Sequence, residues 1–428
     1  LPGPSPKSAS GDRMRLGLPY LGRELGLEIP EESLLAVAEP NEVEGGEGDP
    51  ARLVGDAVSR PLDSPPLAEF LSGAERLLVI VNDGTRPTPT AALLDQVGDI
   101  LEAKNARFLV ATGAHRAPIE DEYHQILGRH YDRFRSRIEA HDARDTANLV
   151  DLGRTRNGTP VLLNRALLEA DRVIATGSVE PHYFAGYTGG RKAFLPGVSG
   201  YATIEANHRL ALSPKARALA LDDNPVSQDM DDALALLRVP VFSIMTVLNK
   251  EQGLAGCFAG DIRASFAAAV EKANAIFAVH LSSRADIVVS VARYPMDIDL
   301  YQAQKAIDNG SLALADGGIL ILVASCRDGV GDRKYIELLG SSSTPEEAIG
   351  RIAAGYRLGY HKAAKIAQVA ARASMRAISE LDEATLRKAF IAKRDSLQGA
   401  FDEALAEKGP SARVTVFLDG TVTVPVIG

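Results

Sequence analysis

Between Glu180 and His208 the chain reads EPHYFAGYTGGRKAFLPGVSGYATIEANH, and three residue types with distinct chemistry fall in this one turn-rich window. His182 and His208 offer imidazoles for metal ligation or proton transfer, and Lys192 offers an amine that can carry a covalent adduct. Around them stand Gly186, Gly189, Gly190, Gly197 and Gly200, which let backbone approach a ligand closely. Arg191 precedes Lys192 and the apolar AFLPG run follows it. A neighbouring cation and partial burial both disfavour the ammonium form and make the neutral amine accessible. The plain alternative is a glycine-rich loop with scattered polar residues. The combination points instead to a cofactor-binding active-site segment.

Three further motifs carry chemistry. NDGTRPTPT (82–90) ends a strand with Asp83, Gly84, Thr85 and Arg86 and leads into a helix expected to begin near Pro87 or Pro89, with Thr85 or Thr88 as its cap. Backbone N–H groups at such a helix start attract phosphate or carboxylate, and Arg86 adds a bidentate fork. An ordinary turn with a solvated arginine would read the same way. ATGAHR (111–116) presents His115 and Arg116 at a strand exit. YPMDIDLYQAQKAIDNG (294–310) puts Gln302 and Lys305 on one helical face with Tyr301 adjacent, although an amphipathic surface helix could carry the same letters. The remaining histidines, His124, His130, His141, His280 and His361, are expected at the surface. The glycine-rich loop SCRDGVGD (325–332) is assigned no chemistry.

These motifs need elements to hold them. Leu77–Asn82 is a continuous apolar, β-branched run, the mark of a strand buried on both faces, and 107–112, 172–176 and 239–247 read alike. A helix over 89–104 separates the first two, so strand–helix–strand alternation implies a parallel α/β sheet. Asp83, Gly113–Arg116 and Gly177–His182 each follow such a strand, and ligands bind outside the carboxyl ends of strands in open α/β sheets. A long amphipathic helix is expected over 261–280, where it could bridge two lobes. The pattern then restarts with Ala285–Val291, a helix over 300–315 and a strand over 318–324. Helical segments over 345–353, 361–378 and 384–407 and a strand over 413–418 complete it. The expected fold is α/β in two lobes, each a mostly parallel sheet flanked by helices, with the active site in the cleft between them. The domains expected are a disordered arm over 1–12, a cofactor-binding domain over 13–275 and a substrate-closing domain over 276–428. Strands over 15–19 and Leu34–Ala38 are expected to extend the first lobe's sheet.

Composition narrows the function classes. A chain of 428 residues with 46% apolar and 24% charged residues is globular and too long for one ordinary core. It has no run long and apolar enough for a membrane span. Cys257 and Cys326 are the only cysteines, which fits a reducing cytoplasm and excludes a CxxC metal site. A formal charge of −9 argues against nucleic acid. Yet Arg86, Arg116, Arg191, Lys192 and Lys305 all lie within the motifs, and a basic pocket in an acidic protein suits an anionic small molecule.

Taken in order, DGTRPTP, GAHR, EPHYFAGYTGGRKAFLPG with EANH, and YQAQK resemble the nickel-dependent lactate racemase family of 2-hydroxy acid racemases and epimerases. The resemblance implies a nickel pincer nucleotide, a pyridinium-3-thioamide-5-thiocarboxylic acid mononucleotide, supplied by separate biosynthetic enzymes. By motif match Lys192 would tether it and His208 would be the fourth nickel ligand, completing a roughly planar set that suits Ni(II). His115 and His182 would be paired acid–base groups. Asp83, Gly84, Thr85, Gly189 and Gly190 would line the cofactor, and Arg86, Tyr301, Gln302 and Lys305 the substrate. The implied reaction inverts C2 of a 2-hydroxy acid by reversible hydride transfer. Two other readings compete with it. One is a zinc hydrolase using His115, His182 and His208, which lacks the paired spacing of HExxH. The other is a two-lobed sensor for hydroxy acids or nucleotides, which has no need of two acid–base histidines.

Overall fold

Alternate residues of Leu77–Asn82 enter two different cores. Leu77, Val79 and Val81 pack with Leu93, Leu94, Val97 and Leu101, whereas Leu78 and Ile80 pack with Val226, Met230 and Ala233. A strand with helices on both faces must be apolar at every position, and each aliphatic side chain so buried contributes roughly 1.5–3 kcal/mol. In the structure, a computed structural model describing residues 12–42 and 48–428, this strand lies inside a six-stranded sheet. The sheet's order is Leu254–Gly260, Val241–Leu248, Arg172–Ser178, Leu77–Asn82, Arg107–Ala111, Ile138–Ala140. Only Leu254–Gly260 runs antiparallel to its neighbour.

This sheet belongs to a compact unit formed by Asn41–Phe277. Its helices include Thr90–Ala103, Pro225–Leu236 and Ile262–Phe277. The last of these ends at Phe277, and Ala278–Leu281 is a short strand rather than more helix, so the 261–280 expectation overruns by one element.

A second unit combines the described residues up to Pro40 with Ala278–Gly428. Its six-stranded sheet is parallel throughout, in the order Ile391–Lys393, Ser374–Ile378, Leu314–Val323, Ala285–Val291, Val414–Phe417, Leu34–Ala38. The N-terminal strands therefore do not extend the first sheet. Leu34–Ala38 pairs with Val414–Phe417, and the hairpin of Arg13–Tyr20 with Arg23–Pro30 buries Leu18, Leu27 and Ile29 beside Ile287, Val289 and Phe401. Periodicity misled elsewhere too. The 361–378 segment is a helix, Tyr360–Ala370, followed by the buried strand Ser374–Ile378. The 384–407 segment splits into Glu383–Lys388, strand Ile391–Lys393 and Leu397–Lys408. Short apolar runs such as MRAI satisfy helical and strand templates equally, and the sheet decides between them. The arm expected over 1–12 lies outside the described residues but for Asp12.

Candidate active site

Three adjacent parallel strands, Arg172–Ser178, Leu77–Asn82 and Arg107–Ala111, end on the same edge of the first sheet. Their carboxyl ends bring the DGTR, GAHR and EPH motifs together. Asp83, buried just past its strand, accepts from the Thr85 N–H at 3.1 Å and hydroxyl at 2.6 Å through Oδ1. Its Oδ2 lies 2.8 Å from Nδ1 of His115, whose ring is otherwise exposed. Burial pushes the Asp83 carboxyl up, but the hydrogen bonds from His115 and Thr85 outweigh it and hold it below the usual carboxylate range. An ionised Asp83 places the His115 ring proton on Nδ1 and leaves Nε2 as the acceptor.

Neither threonine caps the following helix. Thr90–Ala103 begins after Pro89 with no side-chain cap. Thr88 instead ties two strand ends: its hydroxyl donates to Asn82 Oδ1 at 2.7 Å and accepts from the Ser178 N–H at 3.0 Å. Among the five cations of the motifs, Arg116 is exposed and held by Glu122 in a two-bond pair at 2.7 Å. Arg191 faces Asp231 at 3.3 Å.

The 180–208 segment folds around one aromatic ring that the sequence reading did not single out. Pro181–His182 pairs with Gly186–Tyr187 in a tight hairpin, and Phe184 sits at its turn. The Phe184 ring centre is 4.6 Å from that of His182 and 5.1 Å from that of His208, and Lys192 Nζ lies 5.5 Å away. Phe184 thus gathers all three chemical residues of the segment. The Ala185 N–H donates to His182 Nδ1 at 3.3 Å. Lys192 follows a turn in which Gly189 and Gly190 both have positive φ, at 76° and 52°. A Cβ on Gly190 would stand 2.7 Å from the Phe266 ring, so the turn is open to glycine alone.

Electrostatics set the protonation of this group. Lys192 is buried, and desolvation followed by the cations of Arg86 and Arg191 pushes its amine well below the ordinary lysine value. His208 keeps some surface, but its Nδ1 is buried. Desolvation, then Lys192 and Arg86, lowers its imidazole to about 3. Both shifts favour the uncharged form, the form in which an amine is nucleophilic and an imidazole can ligate a metal. Among the described residues no three His, Cys, Asp or Glu side chains are arranged to hold a metal, so His115, His182 and His208 do not form a hydrolase-type zinc centre.

In the second unit Tyr301, Gln302 and Lys305 are half-buried on the Leu300–Leu312 helix, whose cap Asp299 accepts from the Gln302 N–H at 2.7 Å. The buried Lys362 donates to the Tyr301 carbonyl and lies 3.8 Å from the Tyr301 ring centre. Lys305 Nζ is 3.5 Å from Met296 Sδ. Three histidines expected at the surface are buried. His141 lies between the Ser199 carbonyl and the Asn164 amide, His130 against Asp95, and His361 against Tyr356. Each is a satisfied core histidine, and polar sequence neighbours concealed it. His124 and His280 are exposed, as expected.

Comparison with known proteins agrees with the motif order. The lactate racemase N-terminal domain model matches residues 20–219 and the C-terminal domain model residues 281–426. A lactate racemase of Lactiplantibacillus plantarum is 32% identical over 380 residues, covering 85% of this chain and 88% of its own length. That of Thermoanaerobacterium thermosaccharolyticum is 29% identical over 78% of this chain and 80% of its own. The solved lactate racemase apoprotein from the latter organism superposes with a TM-score of 0.89 at 25% identity, covering 96% of this chain and 100% of its own. A Thermotoga maritima protein shares the fold alone, with a TM-score of 0.66 at 17% identity over 89% of this chain and 100% of its own. Family models spanning both parts of the chain and a 32% identical relative over most of its length join the gathered motifs in one conclusion: the chain belongs to the lactate racemase family, a family of isomerases.

Proposed function

We propose that this enzyme inverts C2 of a 2-hydroxy acid, lactate or a related 2-hydroxy carboxylate, with a nickel pincer nucleotide tethered by Lys192 and ligated by His208. The observation that carries this reading is the cluster on Phe184, where a lysine and an imidazole, both pushed toward their uncharged forms by burial, meet beside His182. When bound, the pincer nucleotide supplies the site that accepts the C2 hydride and returns it.

The chain's own residues supply proton transfer and orientation. His115, with Nδ1 committed to Asp83, presents Nε2 to take the hydroxyl proton, and the Asp83 carboxylate stabilises the imidazolium that forms. His182 is the second acid–base group, needed because the two enantiomers direct their hydroxyls to opposite sides. Arg86 offers a half-buried guanidinium for the substrate carboxylate. The buried surroundings of Lys192 keep water from the linkage. The substrate roles of Tyr301, Gln302 and Lys305 rest on the family resemblance. Cys257 and Cys326, both pushed up to about 12 by burial, take no part, and a reducing cytoplasm would keep them as thiols.

The test is to co-express the chain with the cofactor-making enzymes and measure nickel, intact mass and interconversion across a panel of 2-hydroxy acids by chiral chromatography. Stoichiometric nickel, a covalent increment lost in Lys192→Ala and racemisation of one panel member are expected. An unmodified mass without racemisation would overturn the proposal.

A further inference from the structure

The helix Pro225–Leu236 carries none of the motifs, yet its start bonds to the proposed cofactor segment at three points, Phe184, Arg191 and Asn207. Its cap, Asn224, donates through Nδ2 to the Phe184 carbonyl at 2.8 Å while its Oδ1 accepts from the Val226 N–H at 3.0 Å. Ser227 Oγ accepts from the Arg191 guanidinium at 2.8 Å, and Asp231 lies 3.3 Å from Arg191 Nε. Asn207 donates through Nδ2 to the Val226 carbonyl and to Asp229 Oδ2, both at 3.2 Å. The other Asp229 oxygen accepts from the Thr155 hydroxyl and, at 3.3 Å, from the Asn157 amide.

Four of these side chains, on Asn224, Ser227, Asp229 and Asn207, are fully enclosed, and Arg191 is only 4% exposed. Buried charges are costly where apolar residues would pack equally well. Here each charge is bonded to, or is itself, the chain neighbour of a chemical residue. Arg191 adjoins Lys192, and Asn207, held by Asp229, adjoins His208. Lys192 lies in a glycine turn and His208 near the end of a nine-residue helix, so the bonds held by their chain neighbours fix the backbone from which each side chain projects.

We propose that the first two turns of Pro225–Leu236 are the positioning platform of the cofactor pocket, in which Ser227 and Asp231 align the tether through Arg191 while Asp229 aligns the metal-binding imidazole through Asn207. The two arms are separate sets of bonds. The tether arm governs formation of the Lys192 linkage, and the ligand arm governs retention of nickel. This inference rests on the cofactor reading of Lys192 and His208.

The separation gives the test. The full chain and its Ser227→Ala and Asp229→Asn variants are co-expressed with the cofactor-making enzymes. Adduct fraction is read by intact mass, nickel per adduct by elemental analysis, and folding by thermal melting. Ser227→Ala is expected to lower the adduct fraction roughly tenfold, the equivalent of one hydrogen bond to a charged group, with nickel per adduct unchanged. Asp229→Asn is expected to keep the adduct and lower nickel per adduct by a similar factor. Should Asp229→Asn fail to fold, Asn207→Ala breaks the same link and leaves the Thr155 and Asn157 bonds to Asp229 in place. Both readouts falling together with the melting temperature, or nickel per adduct unchanged in Asn207→Ala, would overturn the platform. No adduct on the unaltered chain would overturn the cofactor reading and this inference with it, whereas adduct on the unaltered chain with unresponsive variants would overturn the platform alone.

Discussion

Asp83 holds His115 by one oxygen and its own loop by the other, so a single carboxylate sets both the tautomer of the imidazole and the position of its strand exit. Asp83→Asn keeps the shape but replaces an ionised acceptor with a neutral amide, and the imidazolium loses its counter-charge. We expect kcat to fall at least about 100-fold, within the range of general acid–base contributions, with nickel content unaltered. Steady-state rates on metal-analysed protein check this, and a variant within a few-fold of the parent would remove Asp83 from the proton-transfer machinery. The residues to which the proposal gives roles were readable in the sequence, since His115, His182, Lys192 and His208 all stood in motifs. Phe184 lies in the same window without a signal of its own, because an aromatic between two motifs indicates packing until neighbours arrive on three sides.

At the scale of elements, strand ends and glycine turns place these residues. The Pro181–His182 hairpin returns through Gly186, where φ is 78° and a Cβ would lie 2.2 Å from the Ala220 carbonyl oxygen. Backbone blocks that space, so Gly186→Ala must move the hairpin or the Ala220 segment. A loss of about 3 kcal/mol or more is expected, combining left-handed strain with a steric clash. Gly84→Ala serves as its control, because a Cβ there meets nothing within 4 Å and φ is not positive. Denaturant midpoints compare the two, and equal midpoints would mean the hairpin yields without cost. Four of the parallel strands of the first sheet were legible because burial on both faces leaves a nearly unbroken apolar run, whereas the three-residue edge strand Ile138–Ala140 offers no such run. The segment 361–378 was not, because its last apolar residues owe their extended form to pairing with Leu314–Val323.

The whole molecule is organised by a chain whose two ends share a unit. Leu34–Ala38 supplies the edge strand beside Val414–Phe417, and the Arg13–Tyr20 hairpin covers Ile287, Val289 and Phe401. A fragment of residues 278–428 would expose that apolar face. We expect it to lack a cooperative melting transition and to bind a hydrophobic dye, and a permuted chain joining residues 12–40 to its end to recover the transition. Independent cooperative folding of 278–428 would show the N-terminal strands to be an accessory layer. By itself the sequence determined the parallel α/β class and the family, because patterning and motifs are local and survive being read along a line. Only the tertiary structure decided which unit the N-terminal strands join, which histidines are core, and that the start of Pro225–Leu236 bonds to Phe184, Arg191 and Asn207. Those depend on contacts between residues far apart in the chain, where apolar strands of equal quality could pair with either sheet and only the completed packing distinguishes them.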